Sequence, residues 1–270
     1  MNKIISLVGI FSLSISMTFA DISQKQLNKY LDVSGAGIML ENMQSQISDM
    51  VDMQVKATGK KVDPKVTMII TEALSSDENM AKFTKGFKAL DLEHYNNIVS
   101  FYASKVGKKS SDTTKAMDVS TMKQEMISFV QSQKEKPFTA KKTKLIKNIT
   151  NASNAVEMQI KMIESMMLAV DDALPKEAKM TKEQKDMMMS QMKPMMEQQV
   201  MMSMNFTYKD YTEQELAEVL AHITSKAGQE EVNILMNGLN EYVKGAMSDM
   251  MRSLMMELEA KHSEKFKKAA

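Results

Sequence analysis

Apolar residues recur every three or four positions along most of this chain, a spacing that places them on one face of an α-helix. Met, Lys, Glu, Ala, Leu and Gln, which are strong helix formers, are abundant. Glycine and proline, which interrupt helices, number only nine and four among 270 residues. Apolar and polar residues do not alternate over any long stretch, as they would in a half-buried β-strand. The sequence therefore predicts an all-α protein.

The helical pattern occurs twice, at a nearly constant separation. Eight positions match residues 119 positions later, namely Leu27, Tyr30, Ser34, Ala36, Met39, Met43, Ile47 and Val51 with Ile146, Ile149, Ser153, Ala155, Met158, Met162, Met166 and Val170. Seven more match at a separation of 121, namely Tyr95, Ile98, Val99, Tyr102, Ser104, Lys105 and Gly107 with Leu216, Val219, Leu220, Ile223, Ser225, Lys226 and Gly228. Such self-similarity indicates a duplicated unit. We expect two tandem helical-bundle repeats of about four to five helices each, at residues 21–133 and 141–270, with a linker at 134–140.

Capping residues predict where helices begin in each repeat. Ser34 and Ser153 precede the two long amphipathic runs and are predicted to be their N-caps. Asp91 and Thr212 are predicted to begin a later helix in each repeat, and Glu215 completes a capping box with Thr212.

Glycine and proline predict where helices end. Gly107 and Gly228 are expected to close the capped helices in the left-handed conformation, which a side chain would disfavour. The last helices of the two repeats would then cover about 110–133 and 229–266. Pro194 is expected to kink or divide the segment that contains it.

Residues 98–109 read Ile-Val-Ser-Phe-Tyr-Ala-Ser-Lys-Val-Gly-Lys-Lys. This segment resembles the F-Y-x-S-P-x-G-x-K signature of a family of exported bacterial helical proteins known only as a domain of unknown function. An amphipathic helix upstream, here at 31–53, belongs to the same pattern. Lys105 stands where the family usually has proline, and the second repeat has His222 and Ile223 in place of the aromatic pair. The resemblance implies an exported helical protein and implies no activity.

The first twenty residues have the composition of a secretory signal peptide. Lys3 is followed by an apolar run at 4–19, and Thr18 and Ala20 form a small-residue cleavage site. We expect cleavage after Ala20 and a periplasmic location. The alternative is an uncleaved membrane anchor, although the run is shorter than the roughly 20 apolar residues of a span. After cleavage, no segment is apolar for long enough to insert stably in a membrane.

Charge and residue types narrow the classes of function. Without Lys3 the chain has 34 basic and 34 acidic residues, whereas a nucleic-acid partner would require a net basic surface. It has no cysteine, so thiolate metal sites and disulfides are excluded. None of the three histidines, His94, His222 and His262, has another histidine or a carboxylate pair at an obvious ligand spacing. Since no phosphate loop or hydrolase motif is present, we expect no enzymatic activity. A hydrolase with dispersed residues is the alternative.

Methionine is the unusual feature of the composition. There are 31 methionines, of which ten lie within residues 180–204: Met180, Met187, Met188, Met189, Met192, Met195, Met196, Met201, Met202 and Met204. Flexible thioethers can fill gaps between helices, provide an adaptable surface for partners, or bind a soft metal such as Cu(I) or Ag(I). The candidate metal ligands are Met188, Met189, Met192, Met195 and Met196.

These observations predict an exported binding or assembly module that uses a Met-rich adaptable surface. Its partner would be another protein or a second copy of the chain. The alternative is a periplasmic copper-binding or silver-binding protein that uses residues 180–204, and no other cofactor is expected.

Overall fold

A computed structural model describes residues 22–42, 64–116, 119–173 and 179–269. Within these ranges the chain contains α-helices and no β-strand, so the predicted all-α class is confirmed. The helices are α1 (Gln24–Ser34), α2 (Pro64–Ser75), α3 (Asp77–Lys88), α4 (Leu92–Ala103), α5 (Lys105–Lys115), α6 (Val119–Glu135), α7 (Ala140–Ala152), α8 (Ala155–Ala173), α9 (Lys182–Thr207), α10 (Glu213–Thr224) and α11 (Lys226–Ala269). Residues 36–42 are also helical. The predicted signal peptide lies outside the described residues, as do Met43, Ile47 and Val51 of the predicted first repeat.

Two of the predicted helix starts are confirmed by their caps. The Asp91 carboxylate accepts hydrogen bonds from the backbone N–H groups of Glu93 and His94. The Thr212 hydroxyl accepts from the Glu215 N–H, and the Glu215 side chain accepts from the Thr212 N–H in return. Both caps satisfy N–H groups that the first turn of a helix leaves without partners.

The N-caps predicted at Ser34 and Ser153 are wrong by one residue. Ser34 is the last residue of α1, and Ser153 is the C-cap of α7. The next residues, Gly35 and Asn154, have φ angles of 79° and 50° and are the only described residues with positive φ. Their carbonyl groups accept the first hydrogen bonds of the helices that follow. A left-handed residue therefore turns the chain at both places, which are 119 residues apart.

The C-caps predicted at Gly107 and Gly228 are also wrong, and the structure gives the reason for both glycines. Each is the third residue of a new helix, and its N–H donates to the N-cap hydroxyl, Ser104 or Ser225, at 3.0 Å. A Cβ at Gly107 would lie 2.0 Å from the carbonyl oxygen of Phe101. A Cβ at Gly228 would lie 2.1 Å from the corresponding oxygen of His222. Glycine is required because two helices meet closely at a sharp corner, and not because of its φ angle.

The last helices of the two halves differ from each other and from the prediction. In the first half, α5 ends at Lys115 and α6 begins at Val119. In the second half, α11 runs from Lys226 to Ala269 as one helix. Pro194 does not divide its segment either, because α9 continues through it. The chain between α6 and α7, residues 136–139, falls inside the predicted linker.

Buried side chains form two clusters, and each cluster contains residues from both halves of the chain. The larger cluster surrounds Tyr30, Phe83, Phe87 and Tyr242, which are all fully buried. Helix α11 runs through this cluster and packs along α8, α3 and α2. The smaller cluster lies where α7 packs on α10, and its buried members are Val106, Ile146, Ile149, Tyr208, Tyr211, Leu216 and Val219. None of the described helices is both long and apolar enough to cross a membrane.

Candidate functional site

The corner between α4 and α5, at Ser104, contacts the corner between α10 and α11, at Ser225. We call this contact the junction between the first and second halves of the chain. Phe101, near the end of α4, stacks on His222, near the end of α10. The ring centroids are 3.7 Å apart and the planes differ by 3°. Each residue lies three positions before its corner serine, Ser104 or Ser225. Residues 98–109 therefore contribute one side of this junction.

A buried carboxylate lies beside this stack. Glu231 is only 4% exposed. Its Oε1 accepts hydrogen bonds from the hydroxyls of Tyr30, at 2.9 Å, and Tyr102, at 3.0 Å. Its Oε2 lies 3.0 Å from Nε2 of His222. A buried charge is tolerated when such donors replace water, and three donors from α1, α4 and α10 surround this one.

The tyrosines of this cluster remain protonated donors. Burial, and then the negative charge of Glu231, raise the pKa of Tyr30 well above its ordinary value. The same two causes, in the same order, raise the pKa of Tyr102. Protein donors occupy both oxygens of the Glu231 carboxylate. The cluster therefore has a structural role, in which it links α1, α4 and α10 to α11.

Two further side-chain pairs flank the cluster. Nδ1 of His94, on α4, contacts Oε2 of Glu230, on α11. Nζ of Lys109, on α5, lies 2.7 Å from Oε2 of Glu215, on α10. The hydrogen bond from Lys109 and that from the Thr212 N–H lower the pKa of Glu215 to about 2. Both pairs join a helix of the first half to a helix of the second half.

The pattern of residues along the chain did not indicate this cluster. The carboxylates that contact His94 and His222 are Glu230 and Glu231, which lie beyond a helical corner and not on the helices of the two histidines. The adjacent glutamates just after Ser225 and the match between Phe101 and His222 are the signals that could have suggested it. The backbone of His262 lies in α11, and its side chain is outside the described residues.

The five candidate metal ligands all lie on α9. At 100° per residue, Met188, Met189, Met192, Met195 and Met196 fall within an arc of about 120° around that helix. The arc extends from Met195, which is 72% exposed, to Met189, and Met196, within the arc, is 4% exposed. Met188, Met189 and Met192 are half-buried. Among the described residues, no three His, Asp or Glu side chains converge to form a metal site.

A groove opens beside the C-terminal part of α9, where α6 and α7 approach it. Its volume is about 470 Å³. The lining residues carry no charge and are Phe129, Val130, Gln133, Pro137, Phe138, Thr143, Gln198, Met201, Met202 and Asn205. In size and composition the groove resembles the mainly apolar sites that bind uncharged ligands or apolar side chains.

Comparisons with protein-family models, with curated proteins and with solved structures give no match to this chain.

Proposed function

We propose that this protein is an exported helical binding or assembly module whose working surface is the Met-rich helix α9 and the groove beside it. The exposure of large apolar side chains on α9 carries the proposal. Met187 is 63% exposed and Met195 is 72% exposed. Large exposed apolar side chains on a helix that also borders an apolar groove favour a surface that binds a partner.

The chemistry of the groove supports an apolar segment of another polypeptide as the occupant. Phe129, Phe138, Met201 and Met202 provide apolar contacts, and no lining side chain would attract an ion. Thioether side chains repack readily around different shapes, which suits a surface that binds varied apolar segments. The proposal is therefore one of binding rather than catalysis.

A neutral fluorescent probe tests the groove directly. N-phenyl-1-naphthylamine brightens in apolar sites, and it should bind the wild-type protein. Met202→Glu should weaken binding about tenfold or more, because a carboxylate would have to be buried with the probe. Met68→Glu is the matched control, since Met68 is 53% exposed on α2, away from the groove. Absence of binding, or equal loss in both variants, would count against the groove.

Copper binding is the second candidate. Met188 and Met192 lie one helical turn apart and are both half-buried, so their sulfurs can face the same space. Titration with Cu(I) against a competing chelator should give stoichiometric binding that is lost in Met188→Leu/Met192→Leu. Met250→Leu/Met251→Leu on α11 is the control. A flat titration would remove this candidate.

Export and duplication belong to the same proposal. The equivalent corners at Ser104 and Ser225 and the equivalent left-handed turns at Gly35 and Asn154 support a chain built from two related units. Export through the segment at 1–20 predicts a mature chain in the periplasm that begins at Asp21. N-terminal sequencing of the protein recovered from that compartment tests this, and a retained Met1 would contradict it.

A further inference from the structure

Residues at matching positions of the two halves meet each other at the junction. Phe101 and His222 are 121 positions apart, and their rings stack in parallel. A residue contacts its own counterpart only close to a two-fold axis. In a plain tandem array, by contrast, each unit would present one surface to a different surface of the next.

The two side-chain pairs beside the ring stack are also related by the match between the two halves. His94 matches Glu215 at a separation of 121, and Lys109 matches Glu230 at the same separation. The observed contacts are His94 with Glu230 and Lys109 with Glu215. Position 94 of one unit therefore contacts position 109 of the other, and the reverse contact is also made. This reciprocity defines an interface between two copies of one surface.

The contacts between helices are reciprocal in the same way. Helix α4 of the first half packs on α11 of the second, and α10 of the second half packs on α5 of the first. α4 and α10 are matching helices, as are α5 and the beginning of α11. The helix contacts therefore agree with the side-chain pairs, and both are reciprocal across the junction.

We infer that the junction is a two-fold interface whose axis passes between Phe101 and His222, so that the chain is a single-chain form of a symmetric dimer. The partner that each corner fits is a second copy of the same corner. This inference rests on the proposed duplication and is independent of binding at α9.

Exchanging the flanking residues between halves tests the axis in the full chain. The variant His94→Glu/Glu215→His/Lys109→Glu/Glu230→Lys moves each pair to the place of the other. Under two-fold symmetry both pairs survive, and the melting temperature should fall only by the cost of the capping box that Glu215→His removes at Thr212, about 2 °C. Alone, His94→Glu faces Glu230 and Lys109→Glu faces Glu215, so each single variant should melt about 2–4 °C lower.

A double variant and a control keep the test decisive. His94→Glu/Glu230→Lys should recover the loss of His94→Glu, because it copies the pair that Lys109 and Glu215 already make. The control is Lys185→Asp/Asp171→Lys, which reverses a 2.6 Å pair away from the junction. It should melt lower despite matched charges, because Asp171 also accepts from the Met180 N–H.

Additive losses in the double and fourfold variants would overturn the two-fold axis. Probe binding at the groove, measured on the same proteins, reports separately on the proposed function. A wild-type protein that fails to bind the probe, but shows the predicted melting series, would contradict the proposed function and leave the axis supported.

Discussion

The corner at Ser104 and the corner at Ser225 begin alike and continue differently. Each has a serine cap, a glycine in the third helical position and an aromatic ring stacked across the junction. After the first corner the helix stops within eleven residues, whereas after the second it continues for 44. The packing of the corner therefore does not determine how long the next helix becomes.

The residues that follow each corner explain the difference. Residues 110–114 are Ser-Ser-Asp-Thr-Thr, which compete for backbone hydrogen bonds and disfavour a long helix. The corresponding part of α11 contains Glu231, and the buried residues Leu239, Tyr242 and Val243 follow. Burial of this face against α3 and α8 stabilises α11 along its length.

Replacing the buried glutamate should have the largest effect on the junction. Glu231→Ala would leave the hydroxyls of Tyr30 and Tyr102 buried without an acceptor and would remove the partner of His222. We expect a loss of about 3–5 kcal/mol in the free energy of unfolding. Urea denaturation followed by circular dichroism would measure it.

The neighbouring glutamate provides the control for that experiment. The Glu230 side chain is 34% exposed, so Glu230→Ala should cost about 1 kcal/mol or less. Equal losses in the two variants would mean that the buried cluster does not hold the halves together.

The two corner glycines provide the next test. Gly107→Ala and Gly228→Ala each place a Cβ within about 2 Å of a backbone carbonyl oxygen, which must move. We expect each to lose about 1–3 kcal/mol, by similar amounts, in the same denaturation assay. Gly37→Ala is the control, because the nearest atom would lie at 3.6 Å. A large loss at only one corner would show that the two corners are not equivalent.

The sequence predicted features that depend on a few neighbouring residues. The caps at Asp91 and Thr212 need only the next three residues. The role of Gly107 could not be predicted in this way, because it depends on the direction in which α4 delivers the Phe101 carbonyl.

The junction itself could not be predicted, because its partners are distant in sequence. Tyr30 and Glu231 are 201 positions apart, and His94 and Glu230 are 136 apart. The methionine pattern identified the surface of α9 but not the groove beside it. Of the two phenylalanines that line that groove, Phe129 lies on α6 and Phe138 lies inside the predicted linker.

The left-handed turns should have a smaller effect. Asn154 has φ 50° and Gly35 has φ 79°. Asn154→Gly should stabilise the fold by roughly 0.5 kcal/mol, because glycine adopts positive φ without a steric penalty. Gly35→Ala should cost about 1 kcal/mol. Thermal melting of both variants would measure these changes. A destabilising effect of Asn154→Gly would show that different interactions stabilise the two left-handed turns.

The smallest effect should be a pH dependence confined to one side of the junction. The pKa of Glu215 is lowered to about 2 by its hydrogen bonds with Lys109 and Thr212. A carboxyl whose pKa is lower in the folded state stabilises the fold above its unfolded value, near 4.3, and loses that contribution as pH falls toward 2. Urea midpoints measured between pH 5 and pH 2 should therefore fall more steeply for the wild type than for Glu215→Gln. Lys109→Gln should flatten the same slope, because it removes the largest cause of the shift, whereas Lys25→Gln, at an exposed lysine on α1, should leave it unchanged. Parallel slopes in Glu215→Gln and the wild type would show that the Lys109 pair does not stabilise its side of the junction.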